Sequence, residues 1–293
     1  MNRIWCRPLI AALVFLLIAC AEWFGMDGAR AEPLALNGTF TQGGLVVGET
    51  APGSRVLFNG HPVLVSTEGL FVIGFSRDAP PTATLRVVNP NGTVEERQLD
   101  IAPRTYDIQR IDGLPKAMVS PSEAVWARIA AENAAIAEVR KRNTDQAWFA
   151  DGFVWPVIGP ISGIYGSQRI LNGEPRRPHY GVDIAMPVGT PVGSPGEGVV
   201  VLAEPDLYYT GGTIIIDHGH GLTSALLHLE TVTVEVGDHV RPGDPIGTVG
   251  ATGRATGPHL DWRINLFDAR IDPELVVGPM PESIVPASQT GGE

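Results

Sequence analysis

Six of the seven histidines fall at or after position 179: His179, His218, His220, His228, His239 and His259. Imidazoles gathered with carboxylates at one end of a chain suit two chemistries, ligation of a divalent metal and proton transfer near neutral pH. His179-Tyr-Gly-Val-Asp183 sets an imidazole and a carboxylate four residues apart, and on a tight turn entering a strand both can meet one cation. Zinc accepts such nitrogen and oxygen ligands. In Gly257-Pro-His-Leu-Asp-Trp262, residues two apart share a face of a strand, so His259 and Asp261 enter one groove while Leu260 and Trp262 face the other way. His228 ends the apolar run of Ala225-Leu-Leu-His and gains a chemical role only if a metal lies across the groove. The remaining histidines read as structural. Asp217-His-Gly-His-Gly221 has the glycines of a tight hairpin turn, His239 reads as an exposed turn residue, and His61, after Asn59-Gly60, reads as a solvated loop residue. Arg176 and Arg177 beside His179 read as a solvated pair, with an anionic substrate as the alternative partner.

Several classes are excluded. The only cysteines are Cys6 and Cys20, so the body has no disulfide scaffold, zinc ribbon or cysteine nucleophile. With 21 Lys+Arg against 32 Asp+Glu, the formal net charge of −11 argues against a nucleic-acid binder. No Gly-x-Ser-x-Gly elbow and no His-Glu-x-x-His helix occurs, and Gly250–Gly257 lacks the Gly-Lys-Ser/Thr of a phosphate loop.

The elements that must position these residues are short strands. The 35 Gly and 25 Pro residues point to many turns rather than long helices. Residues 32–104 alternate apolar runs with Asn59-Gly60 and Asn91-Gly92, which predicts a small antiparallel β-sandwich. Within a linker at 105–150, Ser120-Pro-Ser-Glu123 is a helix start, and Val125, Ile129, Ile136 and Val139 predict a helix over about 121–142. Arg140-Lys-Arg142 then suits its C-terminal dipole. Residues 151–280 return to β patterning, and 281–293 form a polar tail. At the N-terminus, Arg3 and Arg7 precede the apolar run Leu9–Ala21, which reads as a signal peptide over 1–31. Ala29-Arg-Ala31 offers a cleavage site, whereas Leu17-Ile-Ala-Cys20 resembles a lipobox that would lipidate Cys20. A signal anchor is the third reading, and all three routes export the protein to the periplasm or cell envelope; cleavage leaves no integral membrane span in the mature chain.

Taken together, His179-x-x-x-Asp183, His228 on an apolar strand, Val234-x-x-Gly-Asp-x-Val-x-x-Gly-Asp-x-Ile-Gly247 and Thr256-Gly-Pro-His-Leu260 resemble M23 (lysostaphin/LytM-type) zinc metallopeptidases. The resemblance covers roughly residues 151–278 and implies a mainly β chain whose C-terminal antiparallel-sheet domain holds one zinc ion. It implies His179 and Asp183 as zinc ligands, and His228 and His259 as catalytic histidines flanking the attacking water. The family's third ligand is the second histidine of His-x-His, and here Asp261 occupies that position. Aspartate ligates zinc at similar distance. The implied activity is hydrolysis of peptide cross-links in bacterial peptidoglycan, as a D,D-endopeptidase acting on stem peptides. The alternative is a degenerate module that binds the wall or activates an amidase, with an amidase or cell-division protein as partner. Val-Gly-Asp-His-Val-Arg-Pro-Gly-Asp-Pro-Ile-Gly also resembles biotinyl and lipoyl carriers, but those need a lysine, and none follows Lys141.

Overall fold

A computed structural model describes residues 34–111, 123–171 and 173–281. The expected signal peptide, the Ser120 helix cap and the tail beyond 281 lie outside the described residues. Among the described residues, no helix is long and apolar enough to cross a membrane.

Seven strands open the chain: β1 (Ala35–Gly38), β2 (Leu45–Glu49), β3 (Arg55–Phe58), β4 (His61–Val63), β5 (Leu70–Gly74), β6 (Thr82–Val88) and β7 (Val94–Asp100). They form two antiparallel sheets, β1-β2-β5 and β4-β3-β6-β7. β6 shows why: in Thr-Ala-Thr-Leu-Arg-Val-Val every second residue is buried, as a half-solvated strand requires. Val46, Phe71, Ile73, Leu85, Val87 and Leu99 fill the space between the sheets. Asn59 and Gly60 both take positive φ, 49° and 80°, giving the tight β3–β4 turn that the sequence predicts. His61 is exposed, though it begins β4 rather than lying in a loop.

The segment expected to be linker contributes a strand. β8 (Ile108–Ile111) pairs in parallel with a later strand, which gives the described residues one parallel ladder besides their antiparallel sheets. Helix α1 spans Glu123–Val139, three residues short of the expected C-terminus. Lys141 N and Arg142 N donate to Glu138 and Val139 carbonyls, and these i→i−3 bonds tighten the last turn and stop the helix. A 3-10 turn follows at Trp148–Asp151.

The remaining strands are β9 (Ile161–Gly163), β10 (Gln168–Leu171), β11 (Glu174–Pro175), β12 (Val182–Ile184), β13 (Pro191–Gly193), β14 (Gly198–Leu207), β15 (Gly211–Asp217), β16 (Leu222–Val232), β17 (His239–Val240), β18 (Pro245–Val249), β19 (Leu260–Leu266) and β20 (Ala269–Ile271), before a short helix α2 (Pro273–Val277). β10 carries β8 and β11 on its two sides. The large antiparallel sheet runs β17-β14-β15-β16-β19-β12-β9, with β13, β18 and β20 attached. Its two faces differ. Ile214, Ile216, Leu222, Leu226, Leu260, Trp262 and Ile264 point into the main core, where Leu45 and Val72 of the sandwich join them. Ile215, Ala225 and Leu227 point to the other face, over which α1 lays Ile136 and Val139. The sandwich is also tied to the end of the large sheet by Arg104 Nη1–Asp272 Oδ2 at 2.7 Å, while Asp272 caps α2 by accepting from Glu274 N.

His218 is fully buried on the core side. Its Nδ1 donates to the Glu197 carbonyl at 2.6 Å, which leaves Nε2 to accept from Ser224 Oγ at 2.9 Å. Burial pushes its pKa down from 6.5 to about 4. A depressed histidine pKa stabilises the fold above pH 6.5, and this stability is lost as pH falls toward 4, roughly 3 kcal/mol over the span. Urea unfolding at pH 7 and pH 4.5 should therefore show a steep acid loss that His218→Gln flattens. Equal slopes in the two proteins would contradict this assignment.

Candidate metal centre

Two neighbouring strands near one end of the sheet bring two carboxylates face to face. β12 and β19 pair with Asp183 directly opposite Asp261. Like charges at opposed positions of an antiparallel pair repel, and such a pair is normally destabilising. Ligand atoms of His179, Asp183 and Asp261 all lie within 4.8 Å of one another. His179 Nε2 and Asp183 Oδ1 sit 3.1 Å apart, yet neither makes a hydrogen bond and both are buried. His179 itself is set by the turn before β12, where its N–H donates to the Ser167 carbonyl and its own carbonyl accepts from Gly166 N.

Two glycines make room for the acids. A β-carbon at Gly181 would lie 2.6 Å from Asp261 Oδ1, and one at Gly163, the cross-strand neighbour of Asp183, would overlap Asp183 Oδ2. The cradle, the two unpartnered ligand atoms and the opposed acids all fit a divalent cation. The donor set, one imidazole and two carboxylates, suits zinc.

Asp261 has a second partner that sequence reasoning did not name. Arg263 donates Nε to Oδ1 at 3.0 Å and Nη2 to Oδ2 at 2.5 Å, a two-pronged ion pair. Burial pushes the Asp261 pKa up, but the charge and hydrogen bonds of Arg263 outweigh it and hold the carboxyl below the ordinary range. Nε also reaches Oδ2 at 3.1 Å, so Oδ1, with one hydrogen bond, keeps a lone pair for a cation. The signal was present in the sequence, since positions 261 and 263 share a strand face.

His228 reaches the groove by an unexpected route. β16 does not end there but runs on to Val232. Alternation from Ala225 and Leu227 would turn His228 toward the core. Instead the register with β15 shifts between Gly212 and Ile214, and His228 takes φ 63° at this bulge. A bulge inserts one residue and re-aims a side chain. His228 Nδ1 donates to the Thr252 carbonyl at 2.8 Å, and Thr252 Oγ1 in turn donates to Leu229 O and accepts from Gly212 N. His259, in an isolated bridge to Gly250, donates Nδ1 to the Gly257 carbonyl at 2.8 Å. A carbonyl only accepts, so both rings carry their proton on Nδ1 and leave Nε2 bare. The two rings lie 4.8 Å apart, and His259 Nε2 is 3.8 Å from Asp183 Oδ1. Burial lowers the His228 pKa.

The other histidines stay outside this centre. His218 is on the opposite face, His220 packs on Phe149, and His239 stands half-exposed beside Glu197, in strand β17 rather than in a turn. Arg176 and Arg177 are exposed.

The description Peptidase family M23 matches residues 177–273, a span that takes in all five residues of the centre. Peptidoglycan DD-endopeptidase ShyA of Vibrio cholerae is 38% identical over 122 residues, 39% of this chain and 28% of that protein. DD-carboxypeptidase/endopeptidase Mpg of Neisseria meningitidis is 38% identical over 106 residues, 36% of this chain and 24% of that protein. The chain thus spans about a quarter of the length of these curated relatives. A crystal structure from Pseudomonas aeruginosa assigned to the M23 peptidases is 30% identical and covers 82% of this chain and 96% of its own, with a TM-score of 0.62. With that similarity over nearly the whole of a solved relative, and the family match centred on the groove, the chain belongs to peptidase family M23.

Proposed function

We propose that this chain is an exported zinc metalloendopeptidase that hydrolyses peptide cross-links of bacterial peptidoglycan, with the D,D bond between stem peptides as its target. The observation that carries the reading is the pair of opposed carboxylates, Asp183 and Asp261, beside His179 with its Nε2 unpartnered. His179, Asp183 and Asp261 would hold the ion, which supplies Lewis-acid polarisation of the scissile carbonyl and acidifies water at neutral pH. His228 and His259 both keep an unprotonated Nε2, so one accepts a proton from the attacking water, and the ring so protonated can donate a hydrogen bond to the oxyanion. A protonated histidine then returns the proton to the leaving amine. Arg263 draws charge from Asp261, so two acids do not fully cancel the ion's charge. Residues 1–31 would direct the protein to the periplasm or envelope. The relatives' names, which specify DD-endopeptidase activity on peptidoglycan, support the substrate.

The test is digestion of purified sacculi by zinc-loaded protein, read by chromatography of released muropeptides. Cross-linked dimers should fall and monomers rise, with the effect lost in chelator and restored by zinc. Metal-loaded protein that leaves every cross-linked substrate intact would overturn the reading. One observation favours a second reading: Arg263 engages both oxygens of Asp261, as it would in a metal-free module that binds the wall or activates an amidase. In that case His228→Ala and His259→Ala leave the cellular phenotype unchanged.

A further inference from the structure

The face of β19 that carries Asp261 continues through Arg263 to Asn265. Asn265 is opposed by Thr223 on β16 and by Arg270 on β20, so all five side chains share that face. Helix α1 packs on the adjoining part of this face, over Ile215, Ala225 and Leu227, and Arg140, directly after Val139, lies near enough to Arg270 and Arg263 to feel their charges. Burial and the charges of Arg270 and Arg263 bring the Arg140 pKa down to about 9. Asn265 is 0% exposed and Thr223 is 1% exposed. Among the described residues, Arg140 Nε, Asn265 Nδ2 and Thr223 Oγ1 are buried and have no partner. The amide orientation is fixed, because Asn265 Oδ1 accepts from Arg270 Nη1.

Orphaned buried donors are costly, about 1–3 kcal/mol each, and those of Asn265 and Thr223 stand directly opposite one another. Water can satisfy a donor, but it does not offset converging guanidinium charge. Arg263 is already committed to Asp261, and Asp268 is the acid that acts on both Arg140 and Arg270. This convergence occurs in a chain of net charge −11, where a solvated basic patch would be out of character. An oxyanion supplies acceptors and counter-charge together.

We propose that Arg140, Arg270, Asn265 and Thr223 form an oxyanion-binding site on the sheet face that carries the metal centre, taking a carboxylate or an inorganic oxyanion. Four residues along a strand separate Asn265 from Asp261, roughly 13 Å, which is within reach of a peptide held at the metal centre. Assigning the anion to the substrate rests on the proposed hydrolysis; the site itself does not.

The zinc-loaded full chain is melted in sodium sulfate and in sodium chloride of matched ionic strength. Wild type should gain about 2–4 °C in sulfate over chloride. Thr223→Val removes one donor at nearly constant shape, and the hydroxyl it deletes has no partner to lose, so the variant folds. It and Arg140→Met should each lose at least half of the sulfate gain. Equal gains in all three proteins would overturn the site, since general exclusion of sulfate then explains them. No gain in wild type would overturn it too. A second arm reads the source, using peptide dimers identical except for one carboxylate, free or amidated. A preference for the free acid of roughly tenfold in KM, lost in both variants, assigns the site to the substrate. Equal cleavage of both dimers, with the sulfate effect intact, assigns it to a free anion. If no dimer is cleaved, the hydrolysis reading fails while the sulfate arm still decides the site.

Discussion

Asp261→Ala abolishes stoichiometric zinc binding and also lowers the melting temperature of the metal-free chain. Removing a charged ligand costs the cation one of three donors and leaves Arg263 in the groove without its acid. Two effects oppose each other in the metal-free protein. Deleting Asp261 relieves repulsion with Asp183, but it also strands a guanidinium whose side chain is 30% exposed. Asp183 is a quarter exposed and partly screened, whereas Asp261 is 4% exposed and makes three contacts to Arg263. The lost ion pair wins. Breaking a fully buried pair costs about 3–5 kcal/mol, and solvent at Arg263 reduces that to about 2–3. For a chain of this size the expected drop is roughly 3–5 °C by calorimetry in chelator. Asp261→His restores a nitrogen ligand yet sets Arg263 beside the cation with no acid between them. Its zinc affinity should improve when Arg263→Gln is added, an interaction visible as non-additivity in a double-mutant cycle. If Asp261→Ala keeps both its zinc and its activity, the ligand assignment is wrong.

His228→Asn is expected to separate chemistry from structure. Position 228 has φ 63°, a backbone region that asparagine tolerates. The variant should fold, keep one zinc per chain and melt within about 1 °C of wild type, while kcat/KM falls about 10²–10⁴-fold. His259→Ala should show the same split, and the double variant little further loss, because the two rings act on one proton path. Burial lowers the His228 pKa, and a cation nearby pushes the same way. The neutral base therefore survives to lower pH, and the acid limb of the kcat/KM profile should fall below pH 6.5. A midpoint above 6.5 would argue that another group limits the rate.

The alternation in Gly-Pro-His-Leu-Asp-Trp was enough to place Leu260 and Trp262 in the core and Asp261 in the groove, because a strand's period of two is a local property. The Asn59-Gly60 turn was legible for the same reason: its φ values are set within the dipeptide. His228 was harder. Its presence in the groove depends on a bulge against β15, a pairing made at long range, and local alternation assigns it to the wrong face. The β8–β10 pair was invisible because parallel pairing joins segments about 60 residues apart, and nothing within Ile108–Ile111 names its partner. Arg263 could have been read from its spacing to Asp261. Arg140 could not, since its place on the groove face follows from how α1 docks over Ala225 and Leu227.

The most direct measurement is X-ray absorption at the zinc edge on the purified, zinc-equilibrated full chain, with metal content determined on the same sample. The account predicts one zinc per chain with one imidazole nitrogen and two carboxylate oxygens from the protein, a spectrum that Asp261→Ala loses. Substoichiometric metal, or a bound ion whose neighbours lack carboxylate oxygens, would contradict it.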